Sequence, residues 1–490
     1  MSRAPLTFGA RLGLLALAAG LLRLAPAALV HLTEDESYYR IWAQHLQLGY
    51  YDHPPMIAWW IWLGQRICGD TALGVRLLPT LSAGATTWLL GDLARRLGGS
   101  ERIAFRAALW WNATFTVALG GMLAIPDAPT CFFWILSLWC LARAGEGEGR
   151  GGWWLAAGAA AGLGLLSKYS TLFLAPGILL WLLLDPQRRP ELRTPWPWLA
   201  ALLAAAVFSP NVVWNAQNHW LTFAKQFGRA APSPLRPAGL PEFLLAQAFL
   251  LNPIIAVFAA RGVASALRAE RRLLLPATSA LPFLGYLVIH SLHARVQGHW
   301  PVPVYAPLAL CAAVAAGEGG RWSRLASGLG IGVGALALVH MSVPRAGSLG
   351  VVDPALPLAG WDRFADDVEA LRQREGAAWV GTLNYGLHAQ LVGEGRVRAP
   401  VLQVSERARY RLDEGPRPDF TRPGLLIDLD RRMDRADVLR CFAVVEPVGV
   451  LERGFEAGPV QRYAAFRVAQ PRRDVWADGC HMRNEVLPGF

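Results

Sequence analysis

GWWLAAGAAAGLGLLSKYSTLFLAPGILLWLLL, residues 152–184, carries a single charged side chain, Lys168. A bilayer core of about 30 Å takes about 20 apolar helical residues to cross, and each half of this stretch, on either side of Ser167-Lys168-Tyr169, has only about 15–16. Arg143 and Arg150 precede it, and Arg188, Arg189 and Arg193 follow. Short loops rich in Arg and Lys stay on the cytoplasmic side of a membrane. Basic loops at both ends therefore require an even number of crossings between them. A tight hairpin with its tip at residues 167–169 meets that requirement, and it puts Lys168 at or just beneath the outer surface.

Working outward, further apolar runs cover roughly 8–30, 72–91, 103–122, 127–144, 196–214, 241–261, 273–291, 301–317 and 324–341, giving about eleven crossings in all. Charged residues make up 17% of the 490-residue chain and hydrophobic residues 53%, with a mean hydropathy of +0.29. A soluble protein would carry about 25% charged residues. The 21 Trp and 49 Gly suit a membrane protein, in which indoles sit at interfaces and small residues let helices approach closely. The expected fold class is an all-α polytopic membrane bundle, residues 1–344, followed by a soluble domain, residues 345–490.

The net charge of +11 is not the footprint of a nucleic-acid binder, because the Arg residues cluster in short loops between apolar runs. Arg95, Arg96, Arg102 and Arg106 form one such group, Arg261, Arg268, Arg271 and Arg272 another, and Arg321 and Arg324 a third. With Arg3 and Arg11, this side holds about seventeen basic residues against about seven opposite. The N-terminus is expected in the cytoplasm as an uncleaved first helix, and an odd number of crossings puts the tail domain outside. Residues 31–71, with interfacial helices suggested by Trp42, Trp59, Trp60 and Trp62, also face outward, as do Pro126-Asp127-Ala128-Pro129, 215–240 and 292–300. The ionisable residues at membrane depth thus collect on one face.

In the tail, Trp361–Arg374 has helical periodicity, and 378–383, 424–429 and 442–448 read as buried strands, so an α/β domain is expected. Cys131, Cys140 and Cys311 lie within apolar runs, and no C-x-x-C pair occurs. Cys441 and Cys480 share the tail and are either a disulfide or two free thiols.

The first outer loop opens on Glu34-Asp35-Glu36-Ser37-Tyr38-Tyr39-Arg40 and continues to Tyr50-Tyr51-Asp52-His53-Pro54-Pro55. Acidic residues at a membrane mouth are hydrated, paired or functional; Asp35 or Glu36 could equally cap a helix, as could Asp127. Lys168 either snorkels to the interface or holds a lipid phosphate. His53, Arg76 and Arg295 are further phosphate-binding candidates, and Asp35, Asp52 and His53 are the residues that could hold a divalent metal ion.

Asp35-Glu36-Ser37-Tyr38-Tyr39, Tyr51-Asp52-His53-Pro54-Pro55, Pro126-Asp127-Ala128-Pro129 and Leu166-Ser167-Lys168-Tyr169 occur in that order. The set resembles the bacterial branch of the dolichyl-phosphate-mannose–protein mannosyltransferases, whose relatives include lipid A aminoarabinose transferases and lipopolysaccharide-core sugar transferases. Trp214-Asn215-Ala216-Gln217-Asn218-His219-Trp220 and Gln297-Gly298-His299-Trp300-Pro301 extend the likeness over most of residues 5–310. It thins in the tail, where only Asn384-Tyr385-Gly386 and Glu406-Arg407-Ala408-Arg409-Tyr410 match loosely. The resemblance implies a GT-C fold of about 11–13 transmembrane helices with an extracytoplasmic α/β domain, in a bacterial inner membrane. It implies sugar transfer, with inversion, from a polyprenyl-phosphate donor to a lipid, glycolipid or protein hydroxyl at the periplasmic face, a glycolipid being favoured. Asp35 would lie at the catalytic centre with Glu36 beside it, and Asp127 would be the second carboxylate. Lys168, His53, Arg76 and Arg295 would hold the donor phosphate, and Tyr39, Asp52, His299 and Trp300 would line the pocket. His53 stands where aminoarabinose transferases carry Lys, and His is mostly neutral at pH 7, so the donor sugar stays open. The rival from another class is a multi-span transporter or lipid flippase. A transporter's site lies near the midplane, often between repeated halves, whereas this chain shows no repeat and gathers its ionisable residues at one surface.

Overall fold

The computed structural model describes residues 6–228, 234–342, 353, 355–410, 415–455, 458–477 and 479–480. Arg3 and the expected domain boundary at residues 344–345 lie outside them. The chain forms two compact units, one of Met1–Ala28 with His53–Val339, the other of Leu29–Asp52 with His340–Phe490. The segment 31–71 is therefore divided between the two units. Its opening half, up to Asp52, belongs with the C-terminal residues.

The first unit is helical. Phe8–Leu29, Trp196–Gln217, Arg271–Ser291 and Arg321–Ser342 are long and apolar enough to cross a membrane. Gly239–Leu250 with Pro253–Arg268 becomes a fifth if the two count as one broken span. The straight run expected over 241–261 is in fact bent by 106°. Asn252 sits there at φ 74°, its side chain accepting from Ile254 N, and Pro253 begins the next helix. Proline has no N–H to continue the preceding ladder, and it is tolerated in a helix's first turn.

Residues 152–184 break where expected, and the two halves pack mainly on other helices rather than on each other. The Arg150–Leu165 helix packs between Asp127–Ala144 and Trp196–Gln217, while Leu174–Leu184 packs on Leu274–Ser291. Small residues decide these partners. A Cβ on Gly158 would collide with the Ala200 carbonyl, and one on Gly177 would lie 2.7 Å from Thr278 O. A single 3-10 turn, Tyr169–Phe173, makes the change of direction.

The second unit holds a five-stranded sheet of β1 (Trp379–Thr382), β2 (Val401–Gln403), β3 (Gly424–Leu429), β4 (Phe442–Phe455) and β5 (Gly458–Pro471), in the order β2-β1-β3-β5-β4. Pairing of β1 with β2 and β3 is parallel, with Val380 opposite Val401 and Leu425; β5 runs antiparallel to β3 and β4. The Tyr385–Glu394 helix makes the crossover from β1 to β2. One face packs Val380, Leu425 and Ile427 with Trp361, Phe364 and Val368 of the Trp361–Arg374 helix. The other packs Trp379, Leu426, Phe442 and Phe466. Alternate residues of a strand point to opposite faces, so strands buried on both sides read as continuous apolar runs.

Cys441 and Cys480 form a disulfide, with Cα atoms 5.7 Å apart. Trp42 is not an interfacial indole. It is fully buried and stacked on Tyr50 at 4.3 Å between ring centroids.

Candidate active site

In the second unit, the Glu34–Gln44 helix begins with a capping box: Thr33 Oγ1 accepts from Glu36 N at 3.2 Å, and Glu36 Oε2 accepts from Thr33 N at 2.9 Å. Glu36 is wholly buried in this role. Three acidic residues in the first turn are favoured there by the partial positive charge of a helix N-terminus. Asp35 takes a different partner. Tyr385 Oη, on the crossover helix, donates to Asp35 Oδ1 at 2.6 Å.

The two helices are fastened along their length. Ser37 Oγ donates to Gln390 Oε1 at 3.2 Å, Gln390 Nε2 to Leu32 O at 2.9 Å, and Arg40 Nη1 to Gly393 O at 3.2 Å. Gly386 is what permits the approach, since a Cβ there would lie 2.7 Å from that of Glu34. Burial, and to a lesser extent Asp35, raises the Glu34 carboxyl, while Arg453 and Arg432 oppose the rise.

Asp52 Oδ2 receives two donors, Tyr38 Oη at 3.1 Å and Nη1 of Arg409. Arg409 also donates from Nε to Glu406 Oε2 at 2.6 Å. Its guanidinium lies over the rings of Tyr385, Tyr51 and Tyr38 at 4.5, 5.0 and 5.9 Å, within cation–π range. Burial alone would lower the Arg409 pKa, but Asp52, Tyr38 and Glu406 outweigh it and hold it well above the ordinary value. Burial, then Asp52, pushes the Tyr38 phenol up, and burial, then Asp35, does the same to Tyr385. Both phenols therefore remain donors near neutrality. Tyr39 is buried, its ring 4.8 Å from that of Trp42.

In the first unit, Asp127 opens the Asp127–Ala144 helix but does not cap it; Pro126 holds the cap position. The carboxylate goes instead to Lys168, whose Nζ donates to Oδ1 at 2.7 Å and Oδ2 at 2.9 Å. Lys168 is set by its neighbours: Met56 N donates to Leu166 O at 3.0 Å, and Tyr169 Oη to Asn211 Oδ1 at 3.0 Å. Arg76 is fully buried, with Nη1 donating to Ala27 O at 3.2 Å, while Arg295 is exposed. His53, His299 and Trp300 are half-buried, and Trp300 lies 5.8 Å from the His290 ring.

Among the described residues, no three His, Cys, Asp or Glu side chains gather as a metal-holding group. Asp52, one of the three residues named above for that role, is turned to Tyr38 and Arg409. The second unit also contains a cavity of about 370 Å³ lined by Ile41, His45, His388, Arg407, Tyr410 and Trp476 among others. Burial, and then Arg407, lowers the His388 pKa to about 3, which leaves the imidazole neutral.

Several of these partners were missed by the sequence reading. Tyr385 and Arg409 lie in the two tail segments that matched the family loosely, and neither was given a task there.

Solved structures share the fold of this chain. ArnT from Cupriavidus metallidurans, crystallised with undecaprenyl phosphate, superposes with a TM-score of 0.62 at 15% identity, over 92% of this chain and 97% of that one. The oligosaccharyltransferase AglB from Archaeoglobus fulgidus, solved with an inhibitory peptide and a dolichol-phosphate, gives 0.53 at 12% identity, over 89% and 69%. The chain is a membrane protein of the GT-C fold.

Residues 52–214 match the family model described as dolichyl-phosphate-mannose-protein mannosyltransferase. A lipid A galacturonosyltransferase of Rhizobium johnstonii is 32% identical over 282 residues, 55% of this chain and 58% of that protein. An undecaprenyl phosphate-α-4-amino-4-deoxy-L-arabinose arabinosyl transferase of Pseudomonas fluorescens is 30% identical over 168 residues, 34% and 29%. The chain thus spans a little over half the length of the first and under a third of the second.

Proposed function

We propose that this protein is a glycosyltransferase that moves a sugar from a polyprenyl-phosphate carrier to a lipid or glycolipid hydroxyl, lipid A being the favoured acceptor. The observation that carries the reading is the 32% identity to a lipid A galacturonosyltransferase over 282 residues. The likeness in fold to an enzyme crystallised with undecaprenyl phosphate supports it.

Asp35 acts as the base. It takes the proton of the acceptor hydroxyl as that oxygen bonds to the anomeric carbon. The bond from that carbon to the phosphate oxygen breaks, its electron pair leaves with the polyprenyl phosphate, and configuration inverts. A positioned base contributes about 10²–10⁴-fold. Lys168 holds the donor phosphate, with Asp127 orienting the ammonium; His53, Arg76 and Arg295 are the further candidates for that anion. Tyr39, Asp52, His299 and Trp300 belong to the pocket, and Glu36 serves the capping box.

The membrane domain is assigned to residues 1–344 apart from Leu29–Asp52, which group with the C-terminal unit, with about eleven to thirteen crossings, and the α/β domain to 345–490. The N-terminus faces the cytoplasm and the tail the periplasm of a bacterial inner membrane. The Cys441–Cys480 disulfide suits that oxidising side.

Mass spectrometry of envelope glycolipids from cells with and without the protein tests the function. The expected result is loss of one sugar-sized mass increment from a lipid A species; identical spectra refute the reading. Labelling of cysteines placed at 35, 127 and 168 with a membrane-impermeant reagent tests sidedness, and cytosol-only reactivity at any of the three refutes it.

A further inference from the structure

We propose that Tyr385 positions Asp35, and Arg409 positions Asp52, so that the C-terminal unit supplies working parts of the transferase rather than an appended domain. The proposal rests on the reading of Asp35 as the catalytic base.

The argument starts with what a carboxylate on a short helix needs. Asp35 lies in the first turn of an 11-residue helix, and its side chain can turn about two single bonds. A base misplaced by an ångström loses about two orders of magnitude in rate. The helix's own cap does not restrain Asp35, because the capping box uses Thr33 and Glu36. One restraint comes from 350 residues away in sequence, the Tyr385 hydroxyl at 2.6 Å from Oδ1.

Tyr385 is itself held on several sides. Asn384 Oδ1 caps its helix, accepting from Gly386 N at 2.8 Å and Leu387 N at 3.1 Å. Tyr410 Oη donates to Tyr385 O at 2.8 Å. The Arg409 guanidinium lies 4.5 Å from the ring centroid, and the Tyr38 ring packs at 5.1 Å. Arg409 also reaches Asp52, which Tyr38 bonds at 3.1 Å. One guanidinium thus ties together the partners of both carboxylates. The phenol stays protonated near neutrality, as burial and Asp35 both raise its pKa, so it is always the donor and favours the ionised carboxylate that a base requires.

The charged groups acting on Glu34 and Tyr385, the neighbours of Asp35, include Arg453, Arg432, Asp428, Arg409 and Asp52. Tyr385→Phe alters none of them, so its effect on a pH profile reports the lost hydrogen bond.

The test uses full-length protein in detergent, undecaprenyl phosphate-α-4-amino-4-deoxy-L-arabinose and a polyprenyl-phosphate galacturonate as donor probes, and lipid A as acceptor. Tyr385→Phe should lower kcat about tenfold, leave the KM for donor unchanged, and move the acidic limb of the kcat profile up by about one pH unit. Arg409→Lys, which keeps the charge but not the planar fork, should recover more activity than Arg409→Met. A wild-type kcat and acidic limb in Tyr385→Phe overturn the proposal. A readout independent of turnover is carbodiimide labelling of Asp35 at pH 6, followed by peptide mass spectrometry. Labelling should be faster in Tyr385→Phe, because the reagent attacks protonated carboxyls; an equal rate overturns the proposal. Wild-type protein inactive with both donors would instead count against the functional reading and take the catalytic half of this proposal with it. Activity that is indifferent to Tyr385→Phe sinks the proposal alone.

Discussion

Breaking the Lys168–Asp127 pair from one side should cost far more than removing both partners. The ammonium lies 2.7 and 2.9 Å from the two carboxylate oxygens, and the side chains are 15% and 6% exposed. At about 2.8 Å and an effective dielectric of about 20, the attraction is about 6 kcal/mol before desolvation is subtracted. Desolvation takes back most of this, so the net worth of the intact pair is small. A single substitution, however, strands a charge with little water around it, at about 3–5 kcal/mol. Lys168→Met and Asp127→Asn should therefore each lower the unfolding temperature of the detergent-solubilised protein clearly, followed by tryptophan fluorescence. The double variant should recover much of the loss, with a coupling of about 2–4 kcal/mol. Single effects that add in the double variant, or single variants as stable as wild type, would refute the reasoning.

Three further outcomes follow from the packing. Asp428 is buried, and its carboxyl is raised from 3.8 to about 6 despite bonds from Leu429 N and Leu383 N. The folded state therefore holds this proton more tightly than the unfolded chain. Stability falls as pH rises between about 4 and 6 and the penalty is complete above that, at about 3 kcal/mol. Asp428→Asn should flatten this dependence, measured as resistance of the C-terminal unit to proteolysis in the full chain; an unchanged slope refutes it. Cys480→Ser opens a loop with a sequence separation of 39, and should cost the same unit about 4 kcal/mol by the chain-entropy account. Protease resistance equal to wild type without reductant would contradict this. Gly158→Val drives a side chain into the Ala200 backbone and should abolish monodisperse elution, whereas Gly152→Val, with open space around Gly152, should be tolerated. Normal elution of the first variant would refute the close-packing account.

The catalytic candidates were legible because they are chemically out of place. A carboxylate cluster, a lone Lys168 inside 33 otherwise uncharged residues, and Asp127 between two prolines stand out against an apolar background. Their partners did not stand out. Lys168 and Asp127 are separated by 41 residues, and nothing local announces the pair. Tyr385 and Arg409 lie in ordinary soluble sequence, where a tyrosine or arginine carries no signal until its neighbours are known. Similarly, β1 and β3 read as apolar runs because both faces are covered, while in β5 the apolar stretch 463–466 is bounded by Arg462 and Arg467 and gave no run of strand length.

The linear chain by itself determined the apolar helical domain, the α/β character of the tail, the turn near Lys168 and the roll of acidic and basic candidates. Hydrophobic periodicity and the cost of charge in an apolar run are local properties, and they can be read without a fold. Only the tertiary structure decided that residues 29–52 belong with the C-terminal unit, that Leu174–Leu184 packs on Leu274–Ser291, and which donor each carboxylate receives. Those choices depend on close approach between segments dozens to hundreds of residues apart, permitted at single positions such as Gly158, Gly177 and Gly386. Such shape complementarity between distant surfaces leaves no periodic mark on either.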